Sequence, residues 1–219
     1  MFTMMRVSKT ELAILGIAAL LFVIGGYFYP HMPERIASHW NAQGQVDGYI
    51  SKFWGLFLMP LVCVGLSLLL IAIPRIDPLR ANIERFKGFY FSFAIMLLLF
   101  MLYLYVLTIL WNLGVRFNMI RLLVPAFAVL YFYCGILVEK AKRNWFIGIR
   151  TPWTLSSDVV WDKTHKIGGK LFKVAGILVL LGLIFPNHAI LFVLCPVILV
   201  ALTTTVYSYF EYSRETKTS

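Results

Sequence analysis

Six long apolar segments constrain the fold of this chain more than any other feature of its sequence. They cover approximately residues 11–29, 54–73, 89–111, 119–138, 171–185 and 189–210. A helix of about 20 apolar residues crosses the roughly 30 Å hydrocarbon core of a bilayer, and the short fifth segment reaches that length only by including Lys170 and Lys173. With 60% hydrophobic residues, the chain carries more apolar surface than a soluble domain of its size can bury. The sequence therefore predicts an all-α polytopic protein of the cell membrane, with one membrane domain over residues 1–219.

The distribution of lysine and arginine predicts the orientation of these six transmembrane helices. Sixteen of the twenty lysine and arginine residues lie in four segments. These are the segment before the first helix (with Arg6 and Lys9), the connection from the second helix to the third, the connection from the fourth to the fifth, and the segment after the sixth. Positive segments resist translocation, so we expect both termini in the cytoplasm and three helical hairpins. Residues 30–53 then form an extracellular loop and residues 139–170 a cytoplasmic loop. Because the cations lie between apolar segments, the net charge of +10 is attributed to topology, and no direct nucleic acid binding is expected.

The extracellular loop contains turn sequences and interfacial aromatic residues. Asn41 to Gly44 and the pair Asp47-Gly48 favour turns, because Asn and Asp side chains bond to nearby backbone amides and Gly accepts positive φ. Trp40 and Tyr49 are amphipathic aromatic residues typical of the headgroup zone. The loop is either a compact segment that rests on the membrane surface or a docking surface for an extracellular ligand.

The first part of the cytoplasmic loop, from Arg143 to Trp153, alternates basic residues with aromatic and aliphatic ones. One interpretation is a segment in the membrane interface. In that arrangement Trp145, Phe146 and Ile149 would be inserted, with Arg143 and Arg150 near lipid phosphates.

The second part of the cytoplasmic loop predicts a short interfacial helix near residues 156–167. Ser156 is a suitable N-cap, and Gly168-Gly169 would end the helix before the fifth span. Asp158, Asp162 and His165 would share one face, at positions i, i+4 and i+7. Two carboxylates and a histidine can bind a metal ion or move a proton, so one alternative is a metal-dependent or lipid-modifying enzyme at the membrane interface. Because no nucleophile or third ligand stands at a recognised spacing, we expect no catalytic residue, metal or cofactor.

Ionisable residues are absent from the cores of the six apolar segments. Transporters coupled to ions or protons usually carry such a group near the middle of the membrane. The pattern disfavours a coupled transporter and leaves a carrier of toxin or lipid as a further alternative.

Two motifs resemble known bacterial and archaeal membrane proteins. The extracellular loop resembles the HWNxxGxxDGY signature of a membrane domain, at His39, Trp40, Asn41, Gly44, Asp47, Gly48 and Tyr49. The cytoplasmic loop resembles the SdpI family at Arg143, Asn144, Phe146, Gly148, Ile149, Arg150, Thr151, Pro152, Trp153 and Thr154, followed by Trp161, His165 and Gly168-Gly169. Both motifs occur in the expected order, and the resemblance spans nearly the whole chain.

What the resemblance implies is a six-span immunity protein, without enzymatic activity, that gives resistance to a membrane-active peptide toxin. It also implies a receptor that, with toxin present, holds a cytoplasmic winged-helix repressor at the membrane. On this sequence, the seven residues of the extracellular motif would form the toxin-sensing surface. The candidate docking residues for the repressor would be Arg143, Asn144, Gly148, Arg150, Thr151, Pro152, Trp153, Trp161 and His165.

Overall fold

The computed structural model describes residues 8–218, most of which lie in long α-helices. The α-helices are α1 (Lys9–Phe28), α2 (Lys52–Ile76), α3 (Arg80–Glu84), α4 (Lys87–Asn112), α5 (Met119–Lys140), α6 (Pro152–Ser156), α7 (Asp158–Val179), α8 (Leu181–Ile184) and α9 (Ala189–Thr218). Two strands, β1 (Arg35–Trp40) and β2 (Val46–Ser51), lie between α1 and α2. Arg6, one of the cations that contribute to the predicted orientation, lies outside the described residues.

Six helical segments of the described chain are long and apolar enough to cross a membrane. They are α1, α2, α4, α5, α7 together with α8, and α9, with short 3₁₀ turns extending α1 and preceding α9. The prediction of six spans is confirmed, and the chain is a multi-pass membrane protein.

The fifth span differs from its prediction, because α7 runs from Asp158 through Gly168 and Gly169 without a break. Its N-cap is Ser157 and not the predicted Ser156, and the Ser157 hydroxyl accepts a hydrogen bond from the Val160 amide. The short helix predicted near residues 156–167 is therefore the first part of a helix of 22 residues. The two glycines are buried against neighbouring atoms, and this packing outweighs the cost of about 1 kcal/mol that glycine carries inside a helix.

The described residues fall into two compact units. The first contains residues up to Trp40 together with 46–72 and 94–117. Within it the hydroxyl of Tyr105 in α4 donates a hydrogen bond to the Leu56 carbonyl oxygen in α2 at 2.8 Å. Gly25 of α1 lies against that hydroxyl, where a Cβ atom would approach to 2.5 Å. The three helices therefore pack around one buried tyrosine.

The second unit contains residues 41–45, 73–93 and the chain from Asn118 onwards. Its α5 and α7 bring their backbones into close approach. A Cβ atom at Gly135 would lie 2.5 Å from the Gly169 carbonyl oxygen, and one at Gly176 would lie 2.7 Å from the Ala128 carbonyl oxygen. Small residues of this kind let membrane helices pack tightly. Helix α9 also packs against α7.

The segment between α1 and α2 forms an antiparallel β-hairpin, which the prediction of an all-α chain did not include. The predicted turn at Asn41 to Gly44 is present: the Gly44 amide donates to the Asn41 carbonyl oxygen, and Gly44 has a φ of 77°. The predicted turn at Asp47-Gly48 is not present, because both residues lie inside β2. Gly48 is required there for space, since a Cβ atom would come within 2.9 Å of the His39 Cβ.

Candidate functional site

The connection between α5 and α7, residues 141–157, is called the α5–α7 loop and is folded around the buried side chain of Asn144. The Asn144 Oδ1 accepts hydrogen bonds from the amides of Phe146 and Ile147, at 2.9 and 2.6 Å. Its Nδ2 donates to the carbonyl oxygens of Lys142 and Ile147, at 2.8 and 2.9 Å. These four bonds use both donors and both acceptor positions of the amide. Asn144 therefore sets the conformation of the loop and has no capacity left for a partner.

Two side chains from the segment between α2 and α4 hold the α5–α7 loop in place. The buried Asp77 accepts a hydrogen bond from the Trp145 amide at 2.8 Å, and its other oxygen accepts from the Leu79 amide. Asn82 donates to the Arg143 carbonyl oxygen at 2.8 Å. The sequence gives no local signal for either role, because the partners lie 68 and 61 positions away.

His165 and Trp161 of α7 form a buried floor beneath the loop. The His165 Nε2 accepts a hydrogen bond from the Ile149 amide at 3.0 Å, and Nδ1 lies 2.8 Å from the Trp161 carbonyl oxygen. An amide only donates and a carbonyl only accepts, so the ring is the neutral tautomer with its proton on Nδ1. The imidazole stacks on the Trp161 ring with centroids 3.9 Å apart, and the Trp161 Nε1 donates to the Ala141 carbonyl oxygen.

Gly148 passes over this floor with a φ of 110°, a conformation that L side chains rarely adopt. A Cβ atom at Gly148 would also overlap the His165 Nε2. Both the backbone conformation and the available space therefore require glycine at this position.

The last part of the loop contains α6, whose N-cap is Thr151. The hydroxyl of Thr151 accepts from the Thr154 amide, and the hydroxyl of Thr154 accepts from the Thr151 amide, so the pair forms a capping box. The Thr151 hydroxyl also lies 3.0 Å from the hydroxyl of Ser208 in α9. The Trp153 ring packs edge-on against Tyr209 of α9, with centroids 5.3 Å apart. The loop is therefore attached to α9 as well as to α7.

The predicted stripe of Asp158, Asp162 and His165 does not form a common site. The exposed Asp158 accepts from the Arg143 Nε at 2.6 Å, and the exposed Asp162 accepts from the Lys142 Nζ at 3.0 Å. His165 is buried, with both ring nitrogens engaged by backbone groups. Within residues 8–218, no group of three or more His, Cys, Asp or Glu side chains is placed to hold a metal ion. Asp158 and Asp162 therefore form ion pairs that connect the loop to α7.

Burial divides the predicted docking residues into two groups. The buried group is Asn144, Thr151, Trp161 and His165. The hydrogen bonds of these four residues hold the loop together, and their part in docking stays a prediction. The group that is exposed or partly exposed is Arg143, Gly148, Arg150, Pro152 and Trp153.

The hairpin is the second candidate surface, and two side chains at the end of α4, Trp111 and Asn112, hold it. The Oδ1 of Asn112 accepts from the Ala37 amide at 2.7 Å, and its Nδ2 donates to the Ala37 carbonyl oxygen at 3.1 Å. Trp40 packs edge-on against Trp111, with ring centroids 5.7 Å apart. Trp111 is the last residue of the third apolar segment and Asn112 follows it directly, and no local pattern distinguishes either from residues that only pack.

The residues of the hairpin motif also divide into a supporting and an exposed group. Asn41 shapes the turn, because its Oδ1 accepts from the Gln43 and Gln45 amides, each at 3.0 Å. The exposed group is His39, Asp47 and Tyr49. The His39 Nδ1 lies 2.5 Å from the Asp47 Oδ1, so the first two residues form a pair at the surface.

Comparison with known proteins gives a family match for the segment around each surface. Residues 140–208 match the model of the SdpI/YfhL protein family, and residues 16–64 match that of a domain of unknown function, DUF1648. The immunity protein SdpI of Bacillus subtilis (strain 168) is 25% identical over 209 residues, which cover 94% of this chain and 97% of that protein. No solved structure matches the chain significantly. The predicted resemblance of the cytoplasmic motif to the SdpI family, and of the extracellular motif to a membrane domain of unknown function, is therefore confirmed.

Proposed function

We propose that this chain, which belongs to the SdpI family of multi-pass cell-membrane proteins, is an immunity protein that gives its cell resistance to a membrane-active peptide toxin. The observation that carries the proposal is the similarity to the Bacillus subtilis immunity protein over nearly the full length of both chains. The two matched segments include the hairpin and the α5–α7 loop, so the similarity extends to both exposed surfaces as well as to the spans.

We assign contact with the toxin to the hairpin. The cation distribution supports an orientation with the hairpin outside the cell and both termini in the cytoplasm. Asn112 and the Asn41 turn hold the hairpin in one conformation, and a pre-organised surface loses little entropy on binding. His39, Asp47 and Tyr49 are exposed on it and are the residues that would contact the peptide.

Survival under toxin challenge tests this function. A Bacillus subtilis strain that lacks its own immunity protein would express this chain and be treated with the toxin of that strain and with other membrane-permeabilising peptides. Survival should rise with the chain present, and the double variant His39→Ala/Tyr49→Ala should lower it at equal amounts of membrane-inserted protein. Ser156→Ala, at an exposed position in α6, serves as the control. Equal survival with and without the chain for every peptide would refute the function.

We further propose that the exposed part of the α5–α7 loop and the first turn of α7 dock a cytoplasmic winged-helix repressor. Pro152 is exposed at the start of α6, and Val159 is 52% exposed at the start of α7. The loop is attached to α7 through His165 and to α9 through Thr151, so a shift of either helix would change its shape. A toxin that favours one arrangement of these helices would thereby change the affinity for the repressor.

Recruitment of a fluorescent winged-helix repressor to the membrane tests the docking proposal. With toxin present, fluorescence should move to the membrane with the wild-type chain and remain in the cytoplasm with Val159→Asp. Val115→Asp is a matched control, because Val115 is a valine of similar exposure, 51%, in the connection between α4 and α5. Equal recruitment by the two variants would remove the start of α7 from the docking surface.

A further inference from the structure

Two aromatic side chains of the α5–α7 loop are exposed although the backbone that carries them is held firmly. Trp145 is 51% exposed and Phe146 is 38% exposed, and both lie between the buried residues Asn144 and Ile147. The Trp145 amide donates to Asp77, and the Phe146 amide donates to Asn144. Because both acceptors are themselves buried, the two rings are presented outward by a fixed backbone.

The guanidinium of Arg150 is attached to the base of this aromatic pair. Its NH1 donates to the Trp145 carbonyl oxygen at 2.6 Å, and this is its only hydrogen bond in the described part of the chain. The other two cations of the loop each have a carboxylate partner: Arg143 pairs with Asp158, and Lys142 pairs with Asp162. Arg150 is exposed and carries a charge that no carboxylate of the described chain neutralises.

A second arginine shows that this arrangement is not a general property of the fold. Arg116 also donates from NH1 to the carbonyl oxygen of a tryptophan five positions earlier, Trp111, at 3.1 Å. Its guanidinium lies over the Trp111 ring, 3.9 Å from the centroid, so its face is already occupied. No such stacking occurs for Arg150 among residues 8–218, and its planar fork of donors is available to an external acceptor.

The position of the loop brings these three residues to the membrane surface. Helix α5, one of the six spans, ends at Lys140, only a few residues before Trp145. Tryptophan and phenylalanine at such a position insert among lipid headgroups, and an arginine fork binds phosphate oxygens in a bidentate manner. We propose that Trp145, Phe146 and Arg150 form a binding site for the phosphate of an anionic phospholipid, with the two rings inserted beside the lipid.

The structure also narrows the earlier expectation of a broad interfacial segment. Arg143 is bound to Asp158 and to the Leu155 carbonyl oxygen, so its charge is used inside the protein. Ile149 is turned inward, because a Cβ atom at Gly168 would overlap its Cδ1. The lipid site is therefore confined to one end of the loop, and α6 and Val159 are left for a protein partner.

Reconstituted protein tests the site. The full chain would be placed in nanodiscs of phosphatidylcholine with or without about 30 mol% phosphatidylglycerol, a typical anionic headgroup. The thermal unfolding midpoint and the number of co-isolated phosphatidylglycerol molecules would be measured.

Phosphatidylglycerol should raise the unfolding midpoint of the wild type. Arg150→Gln and Trp145→Ala should each reduce that rise by roughly half or more. Arg150→Lys should be intermediate, because the point charge of lysine replaces the planar fork of donors. The matched control Arg116→Gln should keep the full rise.

For each variant, the quantity compared is the difference in unfolding midpoint between the two lipid compositions. A loss of stability that is the same in both compositions does not change this difference. A wild type that is equally stable in both compositions and retains no phosphatidylglycerol would overturn the site. An equal reduction by Arg150→Gln and Arg116→Gln would also overturn it, because the effect would then reflect total charge. If the Trp145 and Arg150 variants abolish repressor recruitment while the lipid effect is unchanged, the surface docks a protein and the lipid assignment is wrong.

Discussion

At the scale of single residues, Gly148 is the position where the α5–α7 loop should tolerate change least. We predict that Gly148→Ala destabilises the protein by about 1–3 kcal/mol, since alanine would strain the backbone and press its Cβ atom on His165. The measurement is the unfolding midpoint in detergent micelles.

Gly114 provides a control for the backbone contribution alone. It has a φ of 99°, but a Cβ atom there would have no neighbour within 4 Å. Gly114→Ala should therefore lose less stability than Gly148→Ala. Equal losses would mean that the contact with His165 contributes nothing.

The hydrogen bond between His165 and Ile149 leads to a second prediction at this scale. His165→Ala leaves a backbone amide without its acceptor, which costs about 1–3 kcal/mol. The open form of the loop should become more populated, and cleavage by trypsin after Arg150 in solubilised protein should accelerate by about tenfold when the loop opens and closes faster than it is cleaved. His39→Ala is the control, because the His39 side chain is exposed. A cleavage rate equal to that of the wild type would show that the histidine does not hold the loop closed.

The residues of the candidate site illustrate what local sequence can and cannot predict. The resemblance singled out Asn144, Trp161 and His165, but it could not show that these residues face inward, because burial depends on elements far away in the chain. Asp77 and Asn82 were missed for the same reason. Arg150 is exposed, as a charged side chain without a carboxylate partner is expected to be, and its role in binding stays a prediction.

At the scale of helices, the close approach of α5 and α7 leads to a third prediction. Gly135→Ala should destabilise the protein by about 1–3 kcal/mol, because its Cβ atom would press on the Gly169 backbone. Gly65→Ala in α2 meets nothing within 4 Å and should instead gain up to about 1 kcal/mol from helix propensity. Unfolding midpoints of both variants would be compared with the wild type, and a change of the same sign in both would contradict close packing at Gly135.

The same packing explains why helix ends were harder to predict than spans. Apolar length alone identifies a span, since the bilayer imposes it directly. Gly168-Gly169 resembles a helix end by local propensity, yet contacts with Gly135 and Glu139 stabilise helix there. The hairpin likewise depends on Asn112, which lies 75 positions from Ala37. Turn propensity at Asp47-Gly48 could not indicate that contact.

At the scale of the whole molecule, the excess of cations on one set of loops leads to a fourth prediction. In a chain whose native cysteines Cys63, Cys134 and Cys195 are replaced by serine, an impermeant maleimide should label Ser38→Cys in intact cells. It should label Ser156→Cys only after the membrane is permeabilised. Both positions are exposed, so a difference in labelling reports the side of the membrane. The reverse pattern would invert the proposed orientation.

The attachments of the α5–α7 loop also determine when it can be completed during protein synthesis. Trp145 needs Asp77, which leaves the ribosome early, and Thr151 needs Ser208, which is 57 positions later than itself. All residues of the SdpI-like motif, 143–169, are therefore translated before the loop can reach its final shape. A chain that stops before Ser208 would contain all residues of the SdpI-like motif, 143–169, but not the completed surface of the loop. A partner that binds the completed surface would therefore bind full-length chains and not chains truncated before Ser208.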